Sequence, residues 1–297
     1  MIDNRIYKIN DMGQYELISQ DLSGLKDSKD KKVVSQLDAV IDYIGREIEE
    51  TDFRPVARPW LPPLPTRVAS INEVDYDIVR DWSNEDIELK FNLGLVDLPH
   101  LQSQDNFEVN LSEDGHFAVY SSPGFGKSSV LQTILMDISR KINPEYLEMF
   151  LLDFGTNALL PLKNLPSVAD LVLADDNEKM NKLIVRLMSE IKRRKKLTQE
   201  VGAPNIGMYE KLTKKKERRI IVAIDNYDVI KEGDLADSLE PLLTQISREG
   251  LSVGIHLIIS ASRQNAMRYT MSSNIKQQMC LFMIDHSEIS TVVGRSN

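Results

Sequence analysis

His116-Phe117-Ala118-Val119-Tyr120-Ser121-Ser122-Pro123-Gly124-Phe125-Gly126-Lys127-Ser128-Ser129 is the stretch on which the reading of this chain turns. An apolar strand, 116–120, runs into a short loop rich in glycine. The loop opens a helix after 127, whose face is lined by Val130, Leu131, Ile134, Leu135 and Ile138 and which Asn143-Pro144 ends. Strand, loop and helix in that order aim backbone N–H groups and the positive end of the helix dipole at one point, where an anion is favoured. In this phosphate-loop pattern Lys127 reaches the β- and γ-phosphates and the Ser128 hydroxyl ligates Mg²⁺. The whole segment Ser121, Ser122, Pro123, Gly124, Phe125, Gly126, Lys127, Ser128 and Ser129 is therefore the candidate ATP site. Three positions depart from the usual pattern: Ser121 replaces the first glycine, Pro123 has no N–H, and Phe125 puts a bulky ring where small residues are usual.

A phosphate loop needs a carboxylate on a nearby strand to hold the Mg²⁺ shell. The apolar run Arg219-Ile220-Ile221-Val222-Ala223-Ile224-Asp225 ends in one. Ser128 and Asp225 are thus the candidate Mg²⁺ residues, acting through the nucleotide. ATPases of this type carry Glu next, as the base for the attacking water, but here Asn226 follows. An amide takes no proton, and loss of a general base costs about 10²–10⁴ in rate. Asp228 lies two residues on, with a side chain expected to point elsewhere. At the end of strand 256–261, Ser262, Arg263 and Gln264 are candidate γ-phosphate sensors. Asp153 reads as structural, and Asp175-Asp176 as a helix N-cap.

Outward from these motifs, strands are expected at 87–91, 107–111, 148–153, 220–224, 256–261 and 280–284, and helices over 177–197 and 235–247. Several strands are unbroken apolar runs, the mark of burial on both faces of a parallel sheet. Strand and helix alternate, so the fold class is α/β with a central, mainly parallel sheet flanked by helices. In front of it, Val33, Val34, Leu37, Val40, Ile41, Ile44 and Ile48 recur at helical spacing within 31–50, and Arg5-Ile6-Tyr7-Lys8-Ile9 alternates as a short strand would. Residues 55–65, PVARPWLPPLP, hold five prolines and read as a stiff connector, with Trp60 at the edge of the core. The domains are then a linker, 1–66, with a helix and a proline-rich part, and an ATPase domain, 67–297.

Composition limits the alternatives. Of 297 residues, 42% are hydrophobic and 27% charged, an ordinary globular balance. Lys and Arg number 36 against 45 Asp and Glu, a net charge of −9, which argues against affinity of the whole surface for nucleic acid or anionic lipid. The basic runs Lys192–Lys196 and Lys214–Arg219 read as a helix end favoured by its dipole and a solvated loop. The single cysteine, Cys280, excludes an intrachain disulfide and fits a reducing compartment. No apolar run approaches the roughly 20 residues that span a bilayer.

Taken together the segments resemble the FtsK/SpoIIIE-type ATPase modules of type VII secretion motors, most closely the last module of such a motor. The likeness rests on Arg58-Pro59-Trp60-Leu61-Pro62-Pro63-Leu64-Pro65, on Gly94-Leu95-Val96-Asp97-Leu98-Pro99 with Gln104, and on Gly115–Tyr120. Leu152-Asp153-Phe154-Gly155, Leu165–Ala169, Gly254–Ile258, Ser287-Glu288 and Val293-Gly294-Arg295 extend it over nearly the whole chain. The resemblance implies a RecA-like sheet in a cytoplasmic domain of a membrane-anchored, multi-module ATPase. Its implied partners are the other ATPase modules of the same polypeptide, type VII membrane components, and secreted helical-hairpin substrate proteins whose signal docks on the last module; nucleic acid is not expected. Ser121 and Asn226 replace the Gly and Glu of competent modules, so the expectation is a degenerate module that binds ATP and hydrolyses it poorly, with a regulatory or docking task in export and virulence. The sequence stops soon after Gly294-Arg295, where such modules add a further strand, so its C-terminus is expected to fall short of the full domain. The alternative is an active, oligomeric, DNA-translocating FtsK-like ATPase.

Overall fold

The computed structural model describes residues 6–18, 35–51, 60–68, 77–83, 87–231 and 234–294. The chain divides into two compact units, Met1–Pro59 and Trp60–Asn297. In the first, β1 (Tyr7–Ile9) pairs antiparallel with β2 (Tyr15–Leu17). Helix α1 (Gln36–Glu50) begins with a capping box: Ser35 Oγ accepts from the Asp38 N–H at 3.1 Å, and the Asp38 carboxylate accepts from the Ser35 N–H. Its apolar stripe, Leu37, Val40, Ile41, Ile44 and Ile48, is exposed. Val33, Val34 and Arg5 lie outside the described residues, as does the front of the proline connector, 52–59.

The second unit runs α2 (Ile78–Ser83), β3 (Lys90–Leu98), β4 (Ser103–Asn110), α3 (Leu111–Asp114), β5 (Phe117–Tyr120), α4 (Lys127–Lys141), β6 (Leu147–Asp153), β7 (Val168–Leu173) and α5 (Asn177–Glu200). It continues with α6 (Ile206–Thr213), β8 (Arg219–Asp225), α7 (Asp234–Val253), β9 (Ile255–Ala261), α8 (Tyr269–Ser272), β10 (Gln277–Cys280) and α9 (His286–Val293). Six strands form one sheet in the order β10-β5-β9-β8-β6-β7, every neighbour pair parallel. β3 and β4 form a separate antiparallel pair.

The two-residue period of the strands sorts the core into two layers. On β8, Ile220, Val222 and Ile224 face α5 and α7 with Leu183, Leu187, Leu242 and Ile246. Ile221 and Ala223 face the opposite layer, where Leu131, Ile134, Leu135 and Ile138 of α4 pack with Phe91 and Val109 of the hairpin. Continuous apolar runs follow from the need to fill both layers.

Four expectations are corrected. Trp60 is not at a core edge but 80% exposed; the connector is held instead by Gln104, whose Nε2 donates to the Pro62 carbonyl at 2.7 Å. The last strand is Gln277–Cys280 rather than 280–284, because the chain leaves the ladder as it bends toward the phosphate loop. The helix expected over 235–247 extends to Val253 through Pro241. Lys192–Lys196 does not end a helix: α5 continues to Glu200. Strand β7, interrupted in sequence by Asp170, was not anticipated.

That basic run is engaged in structure. The Arg194 side chain, 1% exposed, donates to the carbonyls of Val253 and Gly254 at 2.8 and 3.3 Å, so it caps the C-terminus of α7. Its Nε pairs with Glu190 at 2.6 Å, and Lys195 pairs with Glu249 at 2.7 Å. Arg193, held by Glu190 and Glu217, has its pKa raised by those hydrogen bonds.

Candidate functional site

The loop 121–126 leaves the C-terminal end of β5 and turns into α4. Two left-handed residues make the turn, Gly124 at φ +84° and Gly126 at φ +90°, where a Cβ would be strained. Open space lies over both positions. No side chain caps the first turn of α4, which leaves its N–H groups aimed into the loop. Lys127 folds back across this cradle and donates to the Ser121 carbonyl at 2.6 Å. Partial burial pushes the Lys127 pKa down, and the charges of Asp228 and then Asp225 push it back up.

The departures from the usual pattern are absorbed locally. Ser121 is buried and has no positive φ, so nothing in its backbone demands glycine. Its hydroxyl donates to the Phe282 carbonyl at 3.0 Å. Pro123 sits at the exposed tip. Phe125 finds a partner in Phe282, the ring centroids 4.4 Å apart.

Two strands away, Asp225 closes the site. Its Oδ2 accepts from Ser128 Oγ at 2.8 Å, and its Oδ1 accepts from Ser260 Oγ at 2.6 Å. Ser260, fully buried on the intervening strand β9, also accepts the Asn226 N–H at 2.9 Å. A hydroxyl and a carboxylate 2.8 Å apart at the first turn of a helix form an oxygen pair suited to a Mg²⁺ shell. The donor set therefore fits a magnesium nucleotide: N–H groups and an ammonium for phosphate, and oxygens for the metal.

The position after Asp225 is different. Asn226 is in the left-handed region at φ +60°, and its Nδ2 donates to the Phe154 carbonyl at 3.3 Å. Gly155 packs beside this turn, where a Cβ would stand 3.4 Å from Asn226 Cβ and 3.5 Å from Asp225 Oδ2, an ordinary packing distance. Asp153 accepts from the N–H groups of Gly155 and Leu159, a structural turn as read from sequence.

The three sensor candidates do not act as one group. Ser262 binds Asp228, whose charge acts on Lys127: its N–H donates to Asp228 Oδ2 at 2.7 Å and its hydroxyl to Asp228 Oδ1. Arg263 and Gln264 line a separate cavity of about 650 Å³ with Tyr269, Ile275 and Glu288. There Arg263 approaches Glu288 at 3.7 Å and Gln264 donates to Gln278 at 3.0 Å. Ser260 and Asp228 are two further members of the site's polar network that were not among the candidates. The signal for Ser260 was present, a lone hydroxyl inside the apolar run Ile255–Ala261. Asp228 needed the turn at Asn226 to be known.

Sheet and site together define a RecA-like P-loop ATPase domain. The FtsK/SpoIIIE family model matches residues 78–296, and the chain belongs to that family. It is 38% identical over 293 residues to the type VII secretion system protein EssC of Staphylococcus aureus (strain NCTC 8325 / PS 47), which covers 99% of this chain and 20% of that protein. It is 34% identical over 297 residues to the ESX secretion system protein YukB of Bacillus subtilis (strain 168), covering 99% of this chain and 19% of the relative. The chain thus spans about a fifth of the length of these curated relatives. A solved structure of EssC (ATPases 2 and 3) from Geobacillus thermodenitrificans superposes with a TM-score of 0.68 at 36% identity, over 80% of this chain and 43% of that one.

Proposed function

We propose that this chain is an ATPase module of a type VII secretion motor that binds Mg²⁺·ATP and hydrolyses it slowly or not at all, serving export by nucleotide-linked regulation or substrate docking. The observation that carries the reading is the contrast at the end of β8. Asp225 keeps its bond to Ser128, whereas Asn226 offers an amide already turned to a backbone carbonyl. Binding needs the first arrangement and fast hydrolysis needs a base at the second.

The bound nucleotide would supply the phosphates and hold the metal. The chain's own groups would do the rest. Lys127 would exchange the Ser121 carbonyl for phosphate oxygens, and Ser128 and Asp225 would admit Mg²⁺ between them. Ser262 would register the terminal phosphate through Asp228. The module is proposed to lie on the cytoplasmic face of a membrane-anchored parent, beside other ATPase modules. Its proposed cargo is small helical-hairpin proteins. A structure of Thermomonospora curvata EccC, 24% identical, holds a signal sequence peptide, and docking of such a segment on the present chain is part of the same proposal. The DNA-translocating alternative is disfavoured because Arg193, Arg194 and Lys195 are engaged by carboxylates.

The test is titration of ATP with Mg²⁺ against the wild type and Lys127→Ala. Saturable binding lost in the variant, with little phosphate release, is expected. Equal signals from both proteins would reduce the loop to scaffold, and brisk Lys127-dependent turnover would overturn the degenerate reading.

A further inference from the structure

The phosphate loop has two unlike flanks. Toward β9 and β8 lies a polar network: Asp225 accepts from Ser128 at the loop's end and from Ser260, and Asp228 accepts from Ser262. Toward the edge strand β10 the surface is aromatic and aliphatic. Phe125 belongs to the loop itself. Phe282 and Ile284 belong to the segment after β10 and flank Met283, which is buried. Phe282 and Ile284 therefore point outward, and they are 53% and 76% exposed.

This flank is tied to the loop. The Ser122 N–H and the Ser121 hydroxyl both donate to the Phe282 carbonyl at 3.0 Å, and the Ile284 N–H donates to Ser122 Oγ at 3.1 Å. The rings of Phe125 and Phe282 stand 4.4 Å apart at 35°. Whatever lies on them lies against the loop.

We propose that Phe282, backed by Phe125 and flanked by Ile284, is the plane on which the base of a bound nucleoside triphosphate stacks. The inference rests on the nucleotide reading above and adds a direction to it. The γ-phosphate end lies at the polar flank with Asp225, Ser262 and Asp228. The base, one ribose beyond the α-phosphate, lies at the apolar flank. A nucleobase presents an uncharged π-face, which fits two half-exposed phenyl rings held close together.

Inorganic tripolyphosphate separates base from phosphate, because it fills the cradle and lacks the base. Binding of Mg²⁺·ATP and of Mg²⁺·tripolyphosphate is measured by calorimetry on the full chain, for wild type, Phe282→Ala and Phe282→Trp. Loss of a stacking ring is expected to weaken ATP binding roughly tenfold or more. Tripolyphosphate affinity stays unchanged in the alanine variant, and the tryptophan variant keeps ATP. Equal losses for both ligands would make Phe282 a support for the loop and overturn the inference. So would Phe282→Ala binding ATP as the wild type does. A wild type that binds tripolyphosphate and ATP equally tightly would overturn the base plane alone. A wild type that binds neither would overturn the nucleotide reading and the plane with it.

Discussion

Asn226 sits where a left-handed backbone is required, at φ +60°. Asparagine and glycine tolerate that region, while glutamate is strained there. Asn226→Glu, which would place a carboxylate after Asp225, is therefore expected to lower thermal stability slightly while raising phosphate release if the proposed lack of a base is what limits turnover; paired melting and turnover measurements read both. Two histidines make a second prediction at this scale. His256 donates from Nδ1 to the Gly115 carbonyl at 2.7 Å, and His116 Nδ1 accepts the Leu257 N–H at 3.0 Å, so each is held as a defined neutral tautomer. Burial pushes the pKa of His256 down to about 3 and that of His116 down to about 4. The unfolded chain then binds more protons than the folded one below the ordinary histidine value near 6.5. Stability is full above that pH and is lost as pH falls toward 4, by about 1.4 kcal/mol per pH unit for each group. Urea unfolding at pH 6.5, 5.5 and 4.5 should show this decline, and His256→Gln should make it shallower.

Among the elements, α7 carries two tight constraints at its C-terminal end. A Cβ on Gly250 would come within 2.2 Å of the Ile255 carbonyl and 3.1 Å of the His116 ring. Gly250→Ala is expected to destabilise by about 1–3 kcal/mol, despite the better helix propensity of alanine, because backbone must move to admit it. Arg194 is the other constraint. Arg194→Met removes the donor to the Val253 and Gly254 carbonyls and leaves Glu190 with one cation fewer. The cost should be about 3–5 kcal/mol, read from the shift in denaturation midpoint. Both residues were illegible in sequence. Gly250 lies beyond the helix expected over 235–247, and Arg194 belongs to a basic run read as a helix end favoured by its dipole; the partners that constrain them lie 60 residues away or on another element. By contrast α4 and β8 were legible, since their period and their ends are written in consecutive residues. β7 was missed because Asp170 and the preceding proline break its run. The strand 280–284 was displaced because Leu281-Phe282-Met283-Ile284 is apolar for another reason, its packing beside the phosphate loop.

For the whole molecule, both core layers are filled from residue 87 onward. A chain starting at Trp60 should therefore keep the melting temperature of the sheet unit and the nucleotide affinity proposed for it; a large loss of either would assign residues 1–59 a structural part. The sheet order was not readable from sequence, because alternating strands and helices fit several orders. It decides the site, since β9 lies between the loop strand β5 and the strand β8 that ends in Asp225.

Ser121 and the Phe282 carbonyl it holds are 161 positions apart. During synthesis the turn at Gly124-Phe125-Gly126 emerges long before the segment that braces it. A ribosome that has translated only as far as β9 carries a cradle with a bare edge and no Phe282 beside it. The base plane proposed at Phe282 would thus be completed after the phosphate cradle has left the ribosome.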